Sequence, residues 1–252
     1  MINFVGAGSG AKDLITVRGM NLLKEADVII YAGSLVNPEL LEYKSENCEV
    51  YNSATMTLEE IIDVMKKSEA EGKKTVRLHT GEPSLYGAVR EQMDELDKLG
   101  IAYESTPGVS ACFGAASSLD LEYTLPGVSQ SLIITRMEGK TKVPEGESIE
   151  SFAKHNASMA IYLSSSLTRE LSEKLIAGGY DPKTPAAIVY KATWPDEKVF
   201  LCTIETLDEC AKENNITKTA IILVGDVIAH TSYEKSKLYS ADFSTEYRKA
   251  TK

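Results

Sequence analysis

Three short segments of the chain combine glycine and proline with small hydroxyl-bearing residues, a composition that suits close contact with a small organic ligand. They are residues 6–11 (GAGSGA), 80–84 (TGEPS) and 106–111 (TPGVSA). Where side chains are small, backbone N–H and C=O groups can approach a ligand and hydrogen-bond to it. Glycine and proline are also the commonest turn residues, so each segment alone is equally well explained as a turn. The three together favour a binding site.

The first segment also fits the permissive dinucleotide-binding pattern G-x-G-x-x-G/A, through Gly6, Gly8 and Ala11. An acidic residue, Asp27, follows about 20 residues later, as in that pattern. In a nicotinamide-binding unit, however, the acidic residue follows the second strand, where it reaches the ribose. Asp27 instead precedes residues 28–31 (VIIY), which predict the second strand. A nicotinamide-dependent oxidoreductase is therefore the less favoured alternative.

Residues that commonly bind metals are scattered along the chain. They are Cys48, Cys112, Cys202, Cys210, His79, His155 and His230. No C-x-x-C pair and no histidine at ligand spacing occurs among them, so the sequence predicts neither a zinc site nor a disulfide framework. We expect no protein-bound metal, and we assign no catalytic nucleophile or base.

Composition limits the partners and the location. The 252 residues are 43% hydrophobic and 25% charged, as in a globular protein, and carry a net charge of −10. Nucleic-acid surfaces are bound by clustered lysine and arginine, so the acidic balance argues against a nucleic-acid partner. No stretch approaches the roughly 20 apolar residues of a membrane span, and the start MINFVGAGSG lacks a basic leader. We expect a cytoplasmic protein without a membrane partner.

Short apolar runs alternate with stretches of helical periodicity, a pattern typical of α/β proteins. We expect two α/β domains, residues 1–118 with a mostly parallel sheet and residues 119–252 with a mixed sheet. The mixed sheet is predicted from a hairpin around residues 194–197 (WPDE). The strongest helix signal covers residues 85–99 and ends at Gly100. Because ligands bind beyond the carboxyl ends of parallel strands, we expect the three small-residue segments to converge.

Seven motifs, in this order, resemble the tetrapyrrole (corrin/porphyrin) methylase family: VGAGSGAKDLITVRG, YAGSLV, TGEPSLYGAV, TPGVSACFGAA, TRMEG, YKATWPDEKV and AIILVGDVI. They extend over nearly the whole chain. Within the family, YAGSLVNPELL and ATWPDEKV are most similar to the enzymes that methylate carbon 11 of precorrin-4 or cobalt-precorrin-4. The first loop departs from the family's common G-x-G-P-G-D, because Ser9 replaces the proline and Ala11, Lys12 and Asp13 follow.

The resemblance implies a fold of two α/β domains with an interdomain cleft, in a homodimer. It also implies S-adenosylmethionine-dependent methylation of a corrin precursor in cobalamin biosynthesis. Carried over by position, the residues that would contact S-adenosylmethionine are Ser9, Thr80, Gly81, Glu82, Leu85, Ser110, Ala111, Leu163, Ala192 and Ala220. Two further alternatives are open. One is another tetrapyrrole methylase, which acts at a different precorrin position or is similar to diphthine synthase or the ribosomal-RNA cytidine methylases. The other is a non-catalytic binding protein.

Methyl transfer from a sulfonium to carbon is an in-line displacement, so the protein mainly aligns the reactants and excludes water. An electron-rich macrocycle can supply the attacking electron pair, and no obligatory side-chain nucleophile is expected. Basic residues that would bind its carboxylates are Lys12, Arg18, Arg90, Arg136, Lys142 and Lys191. Tyr31 and Tyr86 are candidates to line the macrocycle pocket.

Overall fold

The computed structural model describes residues 1–229 and 233–251. The chain divides into two compact units, each built on its own sheet. The first unit contains Met1–Ala115 and Lys191–Lys198, and the second contains Ala116–Tyr190 and Val199–Lys252. The predicted architecture of two α/β domains is confirmed. The return of Lys191–Lys198 to the first unit was not predicted from the sequence.

The sheet of the first unit has five parallel strands in the order β3-β2-β4-β1-β5. The strands are β1 (Ile2–Gly6), β2 (Val28–Tyr31), β3 (Glu49–Asn52), β4 (Thr75–His79) and β5 (Tyr103–Thr106). The prediction of a mostly parallel sheet is therefore confirmed. Since all five strands are parallel, the segments that follow β1, β4 and β5 all leave the sheet at the carboxyl ends of the strands.

Three helices connect these strands: α1 (Val17–Glu25), α2 (Leu58–Ala70) and α3 (Val89–Leu99). A fourth, α4 (Ala111–Ser118), follows β5. Alternate strand residues face opposite sides of the sheet. Val5 packs with Leu23 of α1 on one side, and its neighbour Phe4 packs in the cluster that contains Met65 of α2 on the other. All four side chains are fully buried. Burial of each contributes about 1.5–3 kcal/mol before the entropic cost of ordering the chain.

Helix α3 begins at Val89, four positions later than the sequence predicts. The cause is the backbone of the preceding turn, in which Tyr86 and Ala88 are left-handed, with φ of 56° and 47°. The Leu85 N–H bonds to the Glu82 carbonyl oxygen at 3.1 Å, which closes a turn in place of a helical start. Gly100, with φ of 66°, ends α3 as predicted. Residues 85–88 therefore belong to the loop after β4.

The second unit contains a mixed sheet in the order β6-β7-β10-β8-β9. Its strands are β6 (Leu132–Arg136), β7 (Ser158–Tyr162), β8 (Pro185–Tyr190), β9 (Lys198–Thr203) and β10 (Ala220–Val224). β6 and β7 are parallel, whereas β10 is antiparallel to both β7 and β8, which confirms the predicted mixed sheet. β8 and β9 are neighbours in the sheet and are joined by residues 191–197, where the sequence predicts a hairpin.

The described residues of this unit form three further α-helices: α5 (Ile149–Ala153), α6 (Thr168–Gly178) and α7 (Leu207–Glu213). Its core joins Ile161, Ile188 and Ile222 of three neighbouring strands to Leu171 of α6 and Leu207 of α7. Within the described residues of both units, no helix is both long and apolar enough to cross a membrane.

Candidate functional site

The three small-residue loops of the first unit meet at four glycines. Gly8 and Gly81 exchange backbone hydrogen bonds of 3.4 and 3.1 Å, so the loops after β1 and β4 are directly paired. A Cβ atom on Gly6 would lie 2.6 Å from Cα of Gly108, and one on Gly108 would lie 2.1 Å from the Gly81 carbonyl oxygen. These distances are shorter than any real Cβ contact, so only glycine fits. The loops converge as the parallel strands predict.

Glu82 ties the second loop to the third. Its Oε2 accepts the Gly108 N–H at 2.8 Å, and its Oε1 accepts the Ser84 N–H at 3.0 Å. Partial burial acts to raise the pKa of Glu82, but these two backbone donors together with the Ser84 side chain outweigh it, so the pKa is lowered. Glu82 is therefore an anionic brace between the loops, with both carboxylate oxygens already hydrogen-bonded.

The third loop leads into α4 beside the first two. A Cβ atom on Gly81 would lie 3.6 Å from Cα of Ser110, which is itself 4% exposed. Further along α4, a Cβ on Gly114 would lie 2.7 Å from Cβ of Ser9. The helix thus packs against the first loop, and Ser110 and Ala111 lie next to Gly81.

Residues 191–198 also contact the first loop. The Thr193 hydroxyl lies 2.9 Å from Oγ of Ser9 and accepts the Ala11 N–H at 3.1 Å. A Cβ atom on Gly10 would lie 2.1 Å from Cδ1 of Trp194 and 2.7 Å from the Ala192 carbonyl oxygen. Sequence reasoning selected Ala192 but missed Thr193 and Trp194, because the side-chain contacts that identify them span more than 180 positions.

The first unit therefore brings together most of the positions selected from the sequence. These are Ser9, Thr80, Gly81, Glu82, Leu85, Ser110, Ala111 and Ala192. Thr80 and Leu85 are half-buried in the loop after β4, whereas Ser9 and Ala192 are buried. Which of them touch a ligand stays a prediction.

The other two positions, Leu163 and Ala220, lie together in the second unit. Leu163 directly follows β7 and Ala220 begins β10, which pairs with β7, and Ser165 Oγ donates to the Ala220 carbonyl oxygen at 2.9 Å. Leu163 is 64% exposed and has φ of 53°. A left-handed conformation costs a leucine roughly 1–2 kcal/mol, and such strain clusters at functional positions.

Most of the basic residues proposed to bind substrate carboxylates already have partners. Lys12 pairs with Glu42 at 2.7 Å, and Lys191 pairs with Asp196 at 2.6 Å. Arg90 pairs with Asp94 and Asp97 along α3 at 2.7 and 2.6 Å. In each pair, the acidic side chain would compete with a substrate carboxylate for the basic group.

Arg136 has a local structural role. Its guanidinium donates to the carbonyl oxygens of Met137, Thr141 and Lys142, which closes the turn after β6. Arg18 and Lys142 are exposed, and of the candidate aromatic residues Tyr31 is half-buried and Tyr86 exposed.

A buried polar layer under the second loop was not predicted. Arg77 and His79 in β4 are each 4% exposed, and Arg77 Nε donates to Gln92 Oε1 at 2.9 Å. Burial lowers the pKa of Arg77 to about 10. Burial, together with the positive charge of Arg77, lowers the pKa of His79 to about 3, so His79 is neutral at physiological pH. The stretch TVRLH predicts only a strand, and nothing in it indicates that its polar residues are buried.

The structure shows where the acidic residue of the nicotinamide pattern and the candidate metal ligands lie. Asp27 accepts the Lys74 N–H at 2.8 Å at the amino end of β2, away from the edge where the loops converge, which disfavours a nicotinamide site. His230 lies outside the described residues. Among the residues that are described, no three His, Cys, Asp or Glu side chains are grouped so that they could hold a metal ion.

Comparisons with known proteins cover both units. The family model for Tetrapyrrole (Corrin/Porphyrin) Methylases matches residues 1–208. A cobalt-precorrin-4 C(11)-methyltransferase of Methanocaldococcus jannaschii is 54% identical over 248 residues, 98% of this chain and 96% of that protein. A precorrin-4 C(11)-methyltransferase of Pseudomonas aeruginosa is 41% identical over 247 residues, 98% of each chain. The solved structure of a cobalt precorrin-4 methyltransferase has a TM-score of 0.88 and 44% identity, and covers 90% of this chain and 95% of that one.

Proposed function

Because the chain belongs to the tetrapyrrole (corrin/porphyrin) methylase family, we propose that it transfers a methyl group to carbon 11 of precorrin-4 or cobalt-precorrin-4 in cobalamin biosynthesis. Members of this family use S-adenosylmethionine, and the chain is an S-adenosylmethionine-dependent methyltransferase. The observation that carries the proposal is similarity along 98% of the chain to enzymes with this activity.

The glycine loops of the first unit fit such a cofactor. Gly6, Gly81 and Gly108 form a glycine cradle, in which the backbones of the three loops pack too closely for a Cβ atom on Gly6 or Gly108. Where the residues of these loops are small, backbone N–H and C=O groups can approach a ligand. We propose that Thr80, Gly81, Ser110 and Ala111 bind the polar groups of the cofactor in this way. Glu82 supports these residues, because its carboxylate accepts the Gly108 N–H and so keeps the second and third loops in place.

Apolar contacts complete the proposed site. In the first unit, Leu85 is proposed to pack on the adenine ring, with Ala192 as a small residue that leaves room for it. In the second unit, Leu163 and Ala220 are proposed as cofactor contacts on the family resemblance. The exposure and left-handed backbone of Leu163 support this role, because strained residues cluster at functional positions.

The cofactor supplies an electrophilic methyl group on a sulfonium. The new bond joins that methyl carbon to the macrocycle carbon, the carbon–sulfur bond breaks, and its electron pair remains on sulfur. The positive charge passes to the macrocycle and is lost as a proton to solvent. The chain's residues have to hold both reactants in line and keep water out. Neither a nucleophilic side chain nor a protein-bound metal is required, and any cobalt belongs to the substrate.

We also propose that the protein is cytoplasmic and forms a homodimer. The family resemblance supports both, and light scattering coupled to size-exclusion chromatography measures the second directly. A mass of about 27.5 kDa in solution, that of one chain, would contradict the dimer.

Product analysis tests the methylation. Purified protein is incubated with precorrin-4 or cobalt-precorrin-4 and S-adenosylmethionine labelled with ¹³C in its methyl group. We expect one added methyl, located at carbon 11 by NMR, and the faster substrate identifies the form that the enzyme uses. A methyl at another carbon would assign the chain to a different methylation step, and binding without product would indicate a non-catalytic protein.

A further inference from the structure

Residues 191–197 form a strained segment. Lys191 and Thr193 both have left-handed backbone conformations, with φ of 48° and 67°, although neither is glycine. Each such residue costs about 1–2 kcal/mol, so the surrounding contacts must hold the segment in place. The segment is therefore held in one particular conformation, in which two of three consecutive residues are strained.

Three internal contacts brace the segment. Lys191 Nζ lies 2.6 Å from an Asp196 carboxylate oxygen and 5.4 Å from the centre of the Trp194 ring. The Thr193 N–H donates to the Glu197 carboxylate. These contacts fix the direction in which the Thr193 hydroxyl and the Trp194 ring project.

Both of those groups are directed at the first glycine loop. The Thr193 hydroxyl bonds to the Ser9 hydroxyl and to the Ala11 N–H, at 2.9 and 3.1 Å, so it holds the loop on both sides of Gly10. Trp194 lies against Gly10 itself, where a Cβ atom would lie 2.1 Å from its ring. Ser9 is 8% exposed, so its hydroxyl is satisfied inside the protein.

We propose that Thr193 is a positioning residue for methyl transfer, whose hydroxyl holds Ser9 and Ala11 so that the first glycine loop is ordered before the cofactor binds. This inference rests on the proposed function. Gly8 is already held by its hydrogen bonds to Gly81, and Asn37 Nδ2 donates to the Gly10 carbonyl oxygen at 3.0 Å. The freedom that Thr193 removes is therefore that of residues 9–11, and ordering residues on binding costs affinity. Thr193 acts through the loop and need not touch the cofactor.

The test compares Thr193→Val, which keeps the shape but lacks the hydroxyl, with Thr193→Ser, which keeps the hydroxyl. Isothermal titration with S-adenosylhomocysteine and steady-state kinetics are measured for each. Loss of two hydrogen bonds predicts a Kd and a KM for S-adenosylmethionine about tenfold higher in Thr193→Val. We expect kcat and the KM for the corrin substrate to change by less than about twofold, and Thr193→Ser to restore the cofactor affinity.

Coupling to the loop is tested by Ser9→Ala. If Thr193 acts through the loop, Ser9→Ala weakens cofactor binding about threefold alone, and adding it to Thr193→Val weakens binding little further. Thr55→Val is the matched control, because Thr55 is exposed in another turn of the first unit.

The possible results separate the two proposals. Failure of the wild-type protein to bind S-adenosylhomocysteine would contradict the proposed function itself. Wild-type affinity in Thr193→Val, or equal impairment in Thr193→Ser, would overturn the positioning role. If Thr193→Val does not fold, as judged by circular dichroism, Ser9→Ala decides: unchanged cofactor affinity in that variant overturns the inference.

Discussion

The Glu82 carboxylate accepts the backbone N–H of Gly108 at 2.8 Å, and this bond joins the loops after β4 and β5 across the glycine cradle. Its other oxygen holds the Ser84 N–H at 3.0 Å. Each oxygen therefore faces an N–H donor, an arrangement that an ionised carboxylate satisfies and an amide does not.

Replacement of Glu82 by glutamine should weaken cofactor binding. The glutamine NH₂ group must face one of the two N–H donors, so one hydrogen bond to a charged group is lost. With allowance for the partial exposure of the site, we expect Kd for S-adenosylhomocysteine to rise about tenfold in titration calorimetry. Glu104→Gln, at an exposed position in β5, is the control. Equal affinities of Glu82→Gln and wild type would show that the brace does not shape the site.

Substitution of Gly108 by alanine should disturb the cradle more severely. The added Cβ would lie 2.1 Å from the Gly81 carbonyl oxygen and 2.8 Å from Cα of Gly6, both backbone atoms that cannot move alone. Overpacking of this kind costs typically 1–3 kcal/mol, so we expect a lower midpoint of thermal unfolding and no measurable cofactor binding. Gly139→Ala is a matched control, because no atom lies within 4 Å of its added Cβ. Normal binding by Gly108→Ala would contradict the proposed cradle.

Replacement of Leu163 by glycine should weaken cofactor binding without a large change in stability. Glycine at this position removes the side chain that strains the left-handed backbone, although it also increases the entropy of the unfolded chain. We expect the free energy of unfolding of Leu163→Gly, measured with urea, to change by less than about 1 kcal/mol. If Leu163 packs on the cofactor, cofactor Kd rises about tenfold in the same variant. A large loss of stability with unchanged Kd would instead make Leu163 a structural residue.

The strands and their common direction could be predicted because the signal is local. Residues 28–31 are continuously apolar, and the strands β1, β4 and β5 are each followed closely by a glycine. Convergence of the three loops then follows from parallel strands alone. The start of α3 was mispredicted because the pattern from Leu85 is helical, whereas Tyr86 and Ala88 adopt a left-handed conformation that neither residue type indicates.

The contacts of Thr193 and the burial of Arg77 depend on packing between segments distant in sequence. Ser9 and Thr193 are separated by 184 positions, and no local pattern links them. In β4, Arg77 and His79 alternate with apolar residues, a pattern that predicts one exposed face; α3 covers that face, with Gln92 bonded to Arg77. Local periodicity therefore identifies the strand but does not reveal that its polar residues are buried.

Burial of His79 should make the stability of the protein depend on pH. In the unfolded chain the pKa of this histidine is near 6.5, whereas burial and Arg77 lower it to about 3 in the folded protein. As pH falls below 6.5 the unfolded state takes up a proton that the folded state does not, so stability is lost between pH 6.5 and 3, by at most about 1.4 kcal/mol per pH unit. Urea unfolding at pH 7, 6 and 5 measures this slope.

His79→Leu should remove that contribution without loss of stability at pH 7. Nε2 of His79 is buried and has no hydrogen-bond partner among the described residues, and an unsatisfied buried polar atom costs about 1–3 kcal/mol. Leucine of similar size removes that cost, so we expect the variant to be at least as stable as wild type at pH 7 and to lose less stability at pH 5. An identical slope in wild type and His79→Leu would mean that His79 takes up a proton in the folded protein, which would place a charged imidazole beside the buried Arg77 under the second loop.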